Sequence, residues 1–190
     1  MSVRDAILGI LTLGPAYGHQ LLFELQTRLP HRSTVNPGQV YATLNRLVAS
    51  DLIRGAGATP TNLPLYELTS DGGRVADAWF RGDGSLDVSD WSEVLDVVLL
   101  ASTLPHRDTK TTCDGVSRHI DVWSQHAPSS SDARKTLVTS SRAHHSSAVR
   151  AWLGDVLAAE ASKQASAWGF NDERPGRGRR PNTEKSALQD

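Results

Sequence analysis

The sequence predicts a mainly α-helical protein, in which three N-terminal helices precede a two-stranded hairpin and a C-terminal set of helices. Apolar residues recur at helical spacing over most of the chain. Residues 55–64, rich in Gly, Pro, Thr and Asn, separate two short apolar runs and are typical of a hairpin tip. With 190 residues, 38% of them apolar, the chain is long enough to bury a core.

The first two helices are predicted from apolar stripes that end at proline. The first covers about residues 3–13 and is stopped by Pro15. The second runs from about Tyr17 to Pro30. A short polar connector, residues 31–34, leads from it to the next helix, so the two helices form a helix-turn-helix.

The third helix, over residues 36–47, is the most informative stretch. Asn36 can cap its first amides, and Pro37 stands at the first helical position, where a missing N–H costs nothing. One face is an apolar stripe expected to be buried: Val40, Leu44, Leu47 and Val48. The opposite face combines small residues with forked hydrogen-bonding side chains and fits a groove: Gly38, Gln39, Ala42, Asn45 and Arg46.

A hairpin and a capped helix complete the N-terminal unit. Residues 52–54 and 65–68 are the apolar runs on either side of the hairpin tip. Thr69 or Ser70 then caps a further helix. Helices and hairpin in this order form a winged helix-turn-helix, which we assign to residues 1–82.

Residues 83–170 are expected to form a helical region after a Gly/Asp/Ser hinge. All five Trp residues lie beyond residue 78. Because a thin helical layer rarely buries its own apolar stripe, we expect these helices to form a homodimer interface. The residues expected in it are Leu95, Leu99, Val149, Trp152, Leu153, Val156 and Leu157. The alternative is a helical subdomain folded back on its own chain.

Charge and cysteine content narrow the class of protein. The net charge of -1 gives no overall attraction to nucleic acid or anionic lipid, so any nucleic-acid contact must be local. The single cysteine, Cys113, excludes an internal disulfide and favours a reducing compartment. The N-terminus lacks an export-signal pattern, and no apolar run approaches the about 20 residues that a membrane span needs. We therefore expect a soluble, cytoplasmic protein.

Neither catalysis nor a metal site is expected. The sequence contains no nucleophile–base motif, no Gly-rich phosphate loop and no paired carboxylates on one helix face, which predicts that the protein is not an enzyme and needs no cofactor. His144 and His145 point about 100° apart on a helix and cannot share one ion. Cys113 and His119 lack further ligands nearby. Solvated histidines are the expected state.

Several short motifs in the first eighty residues occur together and in order: Ile7-Leu8-Gly9-Ile10-Leu11, Gly14-Pro15-Ala16-Tyr17-Gly18-His19-Gln20-Leu21, Pro37-Gly38-Gln39-Val40-Tyr41, Leu44-Asn45-Arg46-Leu47, and Tyr66-Glu67-Leu68-Thr69 with Gly72. Through them the chain resembles the PadR-like transcriptional regulators. Residues 150–153, Arg-Ala-Trp-Leu, look like that family's late-helix signature. Two positions depart from the pattern: the wing segment 55–64 has no basic residue, and His19 replaces an aromatic.

The resemblance implies a repressor whose third helix enters the major groove of an operator, and the groove-fitting face agrees. Gln39 and Asn45 suit adenine, Arg46 suits guanine, and Ala42 suits a thymine methyl. Phosphates are expected near Arg32, Ser33, Thr34 and Asn36. Tyr41 fits either core packing or direct contact. The full expected DNA-binding set is Arg32, Ser33, Thr34, Asn36, Gly38, Gln39, Tyr41, Ala42, Asn45 and Arg46.

The tryptophans and the C-terminal tail suggest two further hypotheses about binding. The family implies a possible small-molecule effector, aromatic or drug-like, in a pocket lined by Trp79, Trp91, Trp123 and Trp152, although aromatics at helical spacing are also typical of core. The tail, residues 171–190, is expected to be disordered; its Arg/Gly/Pro run 174–181 looks like a loose AT-hook that could enter a minor groove. A solvated tail is the simpler interpretation.

The balanced charge of the N-terminal unit and its fold are also compatible with functions other than operator binding. Residues 1–80 hold six Arg and six acidic residues, which predicts weaker non-specific DNA binding than a basic relative would show. The first alternative function is a winged-helix protein-interaction module that does not read DNA. The second is a ligand-binding protein with vestigial DNA contact.

Overall fold

The structure is a computed structural model that describes residues 3–83, 86–125, 133–162 and 167–170. Within these ranges, helices dominate and three short strands form one sheet. The elements in chain order are α1 Val3–Leu11, β1 Ala16–Tyr17, α2 Gly18–Arg28, a 3-10 turn Pro30–Arg32, α3 Pro37–Ala49, β2 Ile53–Ala58, β3 Pro64–Leu68, α4 Ser70–Arg81, α5 Trp91–Thr103, α6 Thr109–Gln125 and α7 Ala133–Ala161. The tail expected to be disordered, residues 171–190, lies outside the described residues.

The mainly α fold with its N-terminal winged helix-turn-helix is confirmed, and the sheet contains one strand more than predicted. β3 lies between β1 and β2, and both pairs are antiparallel. Ala16 stands opposite Tyr66, so the segment between α1 and α2 is hydrogen-bonded to the wing. A two-residue strand carries no periodic pattern, which is why the sequence did not reveal it.

The start of α3 follows the predicted capping chemistry. The Asn36 side chain accepts a hydrogen bond from the Gln39 N–H at 3.1 Å, and the Gln39 side chain accepts one from the Asn36 N–H at 3.0 Å. This reciprocal capping box satisfies two amides that the helix itself leaves without partners. One prediction for α3 was wrong: Val48 is 45% exposed, and Thr43 faces the core instead.

The join between the wing and α4 is sterically tight. The Thr69 hydroxyl caps α4 by accepting from the Gly72 N–H at 3.0 Å. A Cβ on Gly72 would lie 1.9 Å from the Leu52 carbonyl oxygen, so only glycine fits there. This close approach explains why position 72 requires glycine, since the hairpin packs directly against the first turn of α4 there.

The C-terminal helices share one hydrophobic core with the N-terminal unit. In α5, Val94, Val97 and Leu100 are fully buried in this core. Val149 and Leu153 of α7, which were expected at a subunit interface, are instead buried inside the chain, at 0% and 3% exposure. The alternative of a helical region folded back on its own chain therefore describes these two residues, because α6 packs against α7 and both residues join the core of the same chain.

The first half of α7 has a different environment from the second. Leu137 is 69% exposed and Val138 is 50% exposed, and Val122 at the end of α6 is 56% exposed. The other five residues of the expected interface are half-buried: Leu95, Leu99, Trp152, Val156 and Leu157. None of the described helices has the length and apolar character to cross a membrane.

Candidate nucleic-acid interface

The five residues predicted to face a groove lie together on one side of α3, and all are exposed. They are Gly38, Gln39, Ala42, Asn45 and Arg46, which we call the reading face. The buried stripe of α3 fixes this orientation, because Val40, Leu44 and Leu47 are at most 1% exposed. The face is thus presented by core packing, as the helical spacing predicted.

The capping box limits what Gln39 can offer to a ligand. Its amide oxygen already accepts a hydrogen bond from the Asn36 N–H. Bidentate contact with adenine needs both the oxygen and the nitrogen of the amide. Gln39 would have to leave the cap to make it, at a cost of about 1 kcal/mol. Asn45, which takes no part in the cap, is better placed for that contact.

Arg46 folds along its own helix and lines a cleft at the start of α1. Its Nε donates to the Ala42 carbonyl at 3.3 Å, and its Nη2 donates to the Thr43 hydroxyl at 3.1 Å. The cleft of about 510 Å³ is lined by Val3, Arg4, Gln39, Ala42, Thr43, Arg46, Leu47 and Ser50. Arg4 is therefore a second cation beside the reading face. Arg4 is absent from the predicted set because nothing in the pattern of α1 places its first turn against α3.

Tyr41 packs against α2 with one part of its ring and leaves another part exposed. Its side chain is 45% exposed, yet its ring lies against the first residue of α2. A Cβ on Gly18 would come within 2.6 Å of the ring. Glycine at that position therefore lets the two helices approach, while the exposed part of the Tyr41 ring extends the reading face toward α2.

Arg32 has a different partner from the one predicted. Its guanidinium holds the carboxylate of Asp96 on α5, with Nη2 to Oδ2 at 2.7 Å and Nε to Oδ1 at 3.0 Å. His31 contacts the same carboxylate, with Nε2 to Oδ1 at 2.8 Å. Asp96 is fully buried, and its hydrogen bonds raise the pKa of the Arg32 guanidinium. This pairing competes with the phosphate role expected for Arg32, whereas Ser33 and Thr34 are exposed.

The wing contributes no excess positive charge in its described residues. Arg54 pairs with Glu67 across the two strands, with Nε to Oε1 at 2.7 Å. The tip, residues 55–64, has no basic side chain. It turns through Gly57 and Asn62, whose φ values of 87° and 61° lie in the left-handed region. The wing is therefore neutral, as the sequence predicted, and the one arginine on its strands is paired with Glu67.

Two of the four tryptophans of the expected pocket contact His145, and a third contacts one of those two tryptophans. The rings of Trp91 and Trp152 lie edge to face with centroids 5.4 Å apart. His145 sits 6.0 Å from Trp91 and 5.5 Å from Trp123. Trp79 does not join them, because it is buried at 3% exposure against Phe80. The aromatic cluster is therefore Trp91, Trp123, Trp152 and His145.

The histidines and the cysteine do not assemble a metal site in the described part of the chain. No group of three His, Cys, Asp or Glu residues there is arranged to hold an ion. His145 is half-buried and its Nε2 lies 2.7 Å from the Val88 carbonyl oxygen, so the expectation of a solvated side chain was wrong for His145. Burial raises the pKa of the Cys113 thiol to about 11.

A helix-turn-helix with a capped, outward-facing third helix and an adjacent hairpin defines a winged helix-turn-helix protein. Residues 7–78 match the model of the Transcriptional regulator PadR-like family. This match confirms, over residues 7–78, the resemblance seen in the sequence motifs. The family that this match names is one of transcriptional regulators, which supports the predicted class of DNA-binding regulator.

Among solved structures, the chain is similar to Bacillus subtilis PadR, crystallised in complex with operator DNA. The identity is 18%, the match covers 82% of this chain and 96% of that chain, and the TM-score is 0.40. At that score the likeness carries no argument about binding. No curated protein sequence matches the chain.

Proposed function

We propose that the protein is a homodimeric repressor that recognises a specific operator sequence through the reading face of α3. The observation that carries the proposal is the exposed row of Ala42, Asn45 and Arg46 on a helix whose opposite side is locked in the core. Asn45 would pair with adenine, Arg46 with guanine, and Ala42 would contact a thymine methyl. Gly38 would allow close approach of the helix start to the groove.

Phosphate contacts would come from the residues at the edges of this face. Ser33, Thr34 and the capped start of α3 would hold the backbone at the helix entry. Arg4 and Tyr41 flank the reading face and extend it on two sides. Arg32 would act indirectly, because its guanidinium is engaged by Asp96.

The dimer part of the proposal rests on exposed apolar side chains in the C-terminal region. Leu137 and Val138 on α7 and Val122 on α6 are exposed apolar side chains that a second copy could cover. Val156, Leu157, Trp152, Leu95 and Leu99 are half-buried and would add area, whereas Val149 and Leu153 would support α7 from inside. A two-fold dimer implies a pseudo-palindromic operator with half-sites about 10 to 10.5 base pairs apart, or a multiple of this.

An aromatic effector that releases the repressor is the second part of the proposal. The feature that favours it is Trp91, which is 36% exposed although its ring contacts Trp152. A planar ligand stacked there would act on α5, the same helix that holds Arg32 through Asp96. Such a ligand would favour the dimer geometry with the wrong half-site spacing.

Protection footprinting on the intergenic DNA beside the gene tests sequence reading. Asn45→Ala and Arg46→Ala should each abolish a discrete protected site at protein concentrations that saturate it for the parent chain. Each lost bidentate contact is worth about 1–3 kcal/mol of discrimination. The matched control is Arg74→Ala, because Arg74 is 78% exposed on α4, away from the reading face.

Gln39 offers a variant that preserves the fold. Gln39→Glu keeps an acceptor oxygen for the Asn36 N–H, so the capping box survives. It also places a negative charge toward the DNA, and binding should fall sharply. Absence of any protected site with the parent chain would support a protein-interaction module that does not read DNA. Full protection by all three variants would show that the reading face does not carry recognition, and either result would end the proposal. A ligand that binds the aromatic cluster without changing operator affinity would remove only the effector.

A further inference from the structure

Thr43 lies on α3 between the buried stripe and the reading face. It is only 4% exposed, yet it lines the cleft that Ala42 and Arg46 also line. The sequence predicted neither a core role nor a DNA contact for this residue. Its hydroxyl is therefore a polar group beside the reading face that the proposed recognition does not use.

The Thr43 hydroxyl has a fixed direction. Its Oγ1 donates to the Gln39 carbonyl, one helical turn earlier, at 2.8 Å. Threonine in a helix commonly adopts a rotamer that makes this bond to the preceding turn. Because a hydroxyl has a single hydrogen to donate, only the lone pairs of Oγ1 remain for other partners. The oxygen therefore acts as an acceptor toward the reading face.

The side chain of Arg46 occupies this acceptor. Its Nη2 donates to the Thr43 Oγ1 at 3.1 Å, and its Nε donates to the Ala42 carbonyl at 3.3 Å. Nε and Nη2 belong to the same edge of the planar guanidinium, so this edge lies along the helix. The bond to Ala42 is slightly longer than usual for N–H···O, and the Thr43 hydroxyl is thus the better-formed of the two contacts.

The edge bonded to α3 determines which edge of the guanidinium can meet DNA. A guanidinium has five N–H donors in a rigid fork, and the two bonds to α3 use one donor from Nε and one from Nη2. The other donors of Nη2 and Nη1 form a second fork at the tip of the side chain. Bidentate pairing with O6 and N7 of guanine needs a fork of this kind. Thr43 thus orients Arg46 without using the donors that recognition requires.

We propose that Thr43 is a positioning residue that holds Arg46 in the orientation that reads guanine. This inference rests on the proposed function, since it needs Arg46 to contact a base. An unrestrained arginine side chain has many rotamers and loses that freedom on binding, whereas a side chain that is already held loses less. The Thr43 hydroxyl is itself fixed by the backbone of α3, so the helix sets the direction of the guanidinium.

The test uses the full chain and the duplex that it protects in footprinting, with one guanine at a time replaced by 7-deazaguanine, which lacks the N7 acceptor. The guanine whose replacement weakens binding by the parent, but not by Arg46→Ala, is the base that Arg46 contacts. We call this weakening the N7 penalty, and for the parent it should be about five- to tenfold, as expected for one lost hydrogen bond to a charged group. Thr43→Val removes the hydroxyl and should reduce the N7 penalty to about twofold or less, because Arg46 is no longer held.

Two further variants separate positioning from packing. Thr43→Ser keeps the hydroxyl and removes a buried methyl, so it should lower the free energy of unfolding in urea yet retain the N7 penalty of the parent. Thr43→Val should be at least as stable as Thr43→Ser. An effect of packing alone would follow stability and give the reverse order.

Thr103→Val is the matched control. Thr103 is also a buried helical threonine, and its hydroxyl donates to the Leu100 carbonyl of its own helix at 3.0 Å. It lies on α5, so its replacement should leave the N7 penalty unchanged. A reduced penalty in this control would mean that loss of any buried hydroxyl disturbs recognition, which would overturn the inference.

A double variant that combines Thr43→Val with Arg46→Ala completes the test. It should bind both duplexes as Arg46→Ala does, because Thr43 acts through Arg46. An undiminished N7 penalty in Thr43→Val would overturn the inference and leave the reading face standing. Tighter operator binding by Thr43→Val would do the same, since the hydroxyl would then hold Arg46 away from DNA. A full chain that gives no footprint, or whose binding no guanine replacement weakens, would overturn the Arg46–guanine contact of the proposed function together with this inference.

Discussion

The buried carboxylate of Asp96 should control both stability and the placement of the recognition helix. The change Asp96→Asn keeps the shape of the side chain and removes its charge. Asp96 is 0% exposed and accepts from Arg32 and His31, which belong to the turn directly before α3. Removing one partner of a buried ion pair costs about 3–5 kcal/mol. Because the Arg32 side chain is 16% exposed and can turn toward water, we expect about 2–3 kcal/mol.

The measurement is urea unfolding, followed by operator binding under conditions where both proteins are fully folded. The matched control is Asp77→Asn, since Asp77 pairs with Arg107 but is 48% exposed, so its loss should cost less than about 1 kcal/mol. Folded Asp96→Asn should bind the operator more weakly, while its affinity for mixed-sequence DNA changes little. The reasoning is refuted if Asp96→Asn and Asp77→Asn cost the same, or if folded Asp96→Asn discriminates the operator as well as the parent chain.

Two further predictions concern the packing of α6. Gly115→Ala would place a Cβ 2.3 Å from the Arg81 carbonyl oxygen, so we expect the free energy of unfolding measured in urea to fall by about 1–3 kcal/mol. The control Gly154→Ala, with open space around it, should be neutral or stabilising. Burial raises the pKa of Cys113 from 9.0 to about 11, so between those values the unfolded thiol ionises while the folded thiol does not. Stability should therefore fall by up to about 3 kcal/mol as pH rises from 9 to 11, and this loss should be smaller in Cys113→Ala; parallel pH profiles of the two proteins would contradict it.

The order of helices and hairpin, the start of α3 and the direction of its exposed face were all readable from local sequence. Each depends on interactions within a few residues, such as the Asn36–Gln39 capping box and the spacing of Val40, Leu44 and Leu47. Such features follow from periodicity and capping chemistry, so they can be predicted without knowing which distant residues they contact. The family domain over residues 7–78 was likewise recognisable from motifs at fixed spacing.

The long-range partners of charged and aromatic side chains could not be predicted from sequence. Arg32 meets Asp96 across 64 positions, and Arg28 meets Gly169 across 141. Periodicity describes which side of a helix is apolar but not which other helix covers it. The same gap explains why Val149 and Leu153 were expected at a subunit interface although α5 and α6 already form part of the same core.

The sequence by itself determined the class of domain and the side chains presented on α3, because both follow from local helical geometry. The tertiary structure alone decided the partners of Arg28 and Arg32, because these partners lie on α5 and in residues 167–170, which pack against the helix-turn-helix. It also separated Trp79 from the aromatic cluster and brought the end of the described chain back to α2. These contacts join residues far apart in sequence, and only the folded core brings them within bonding distance.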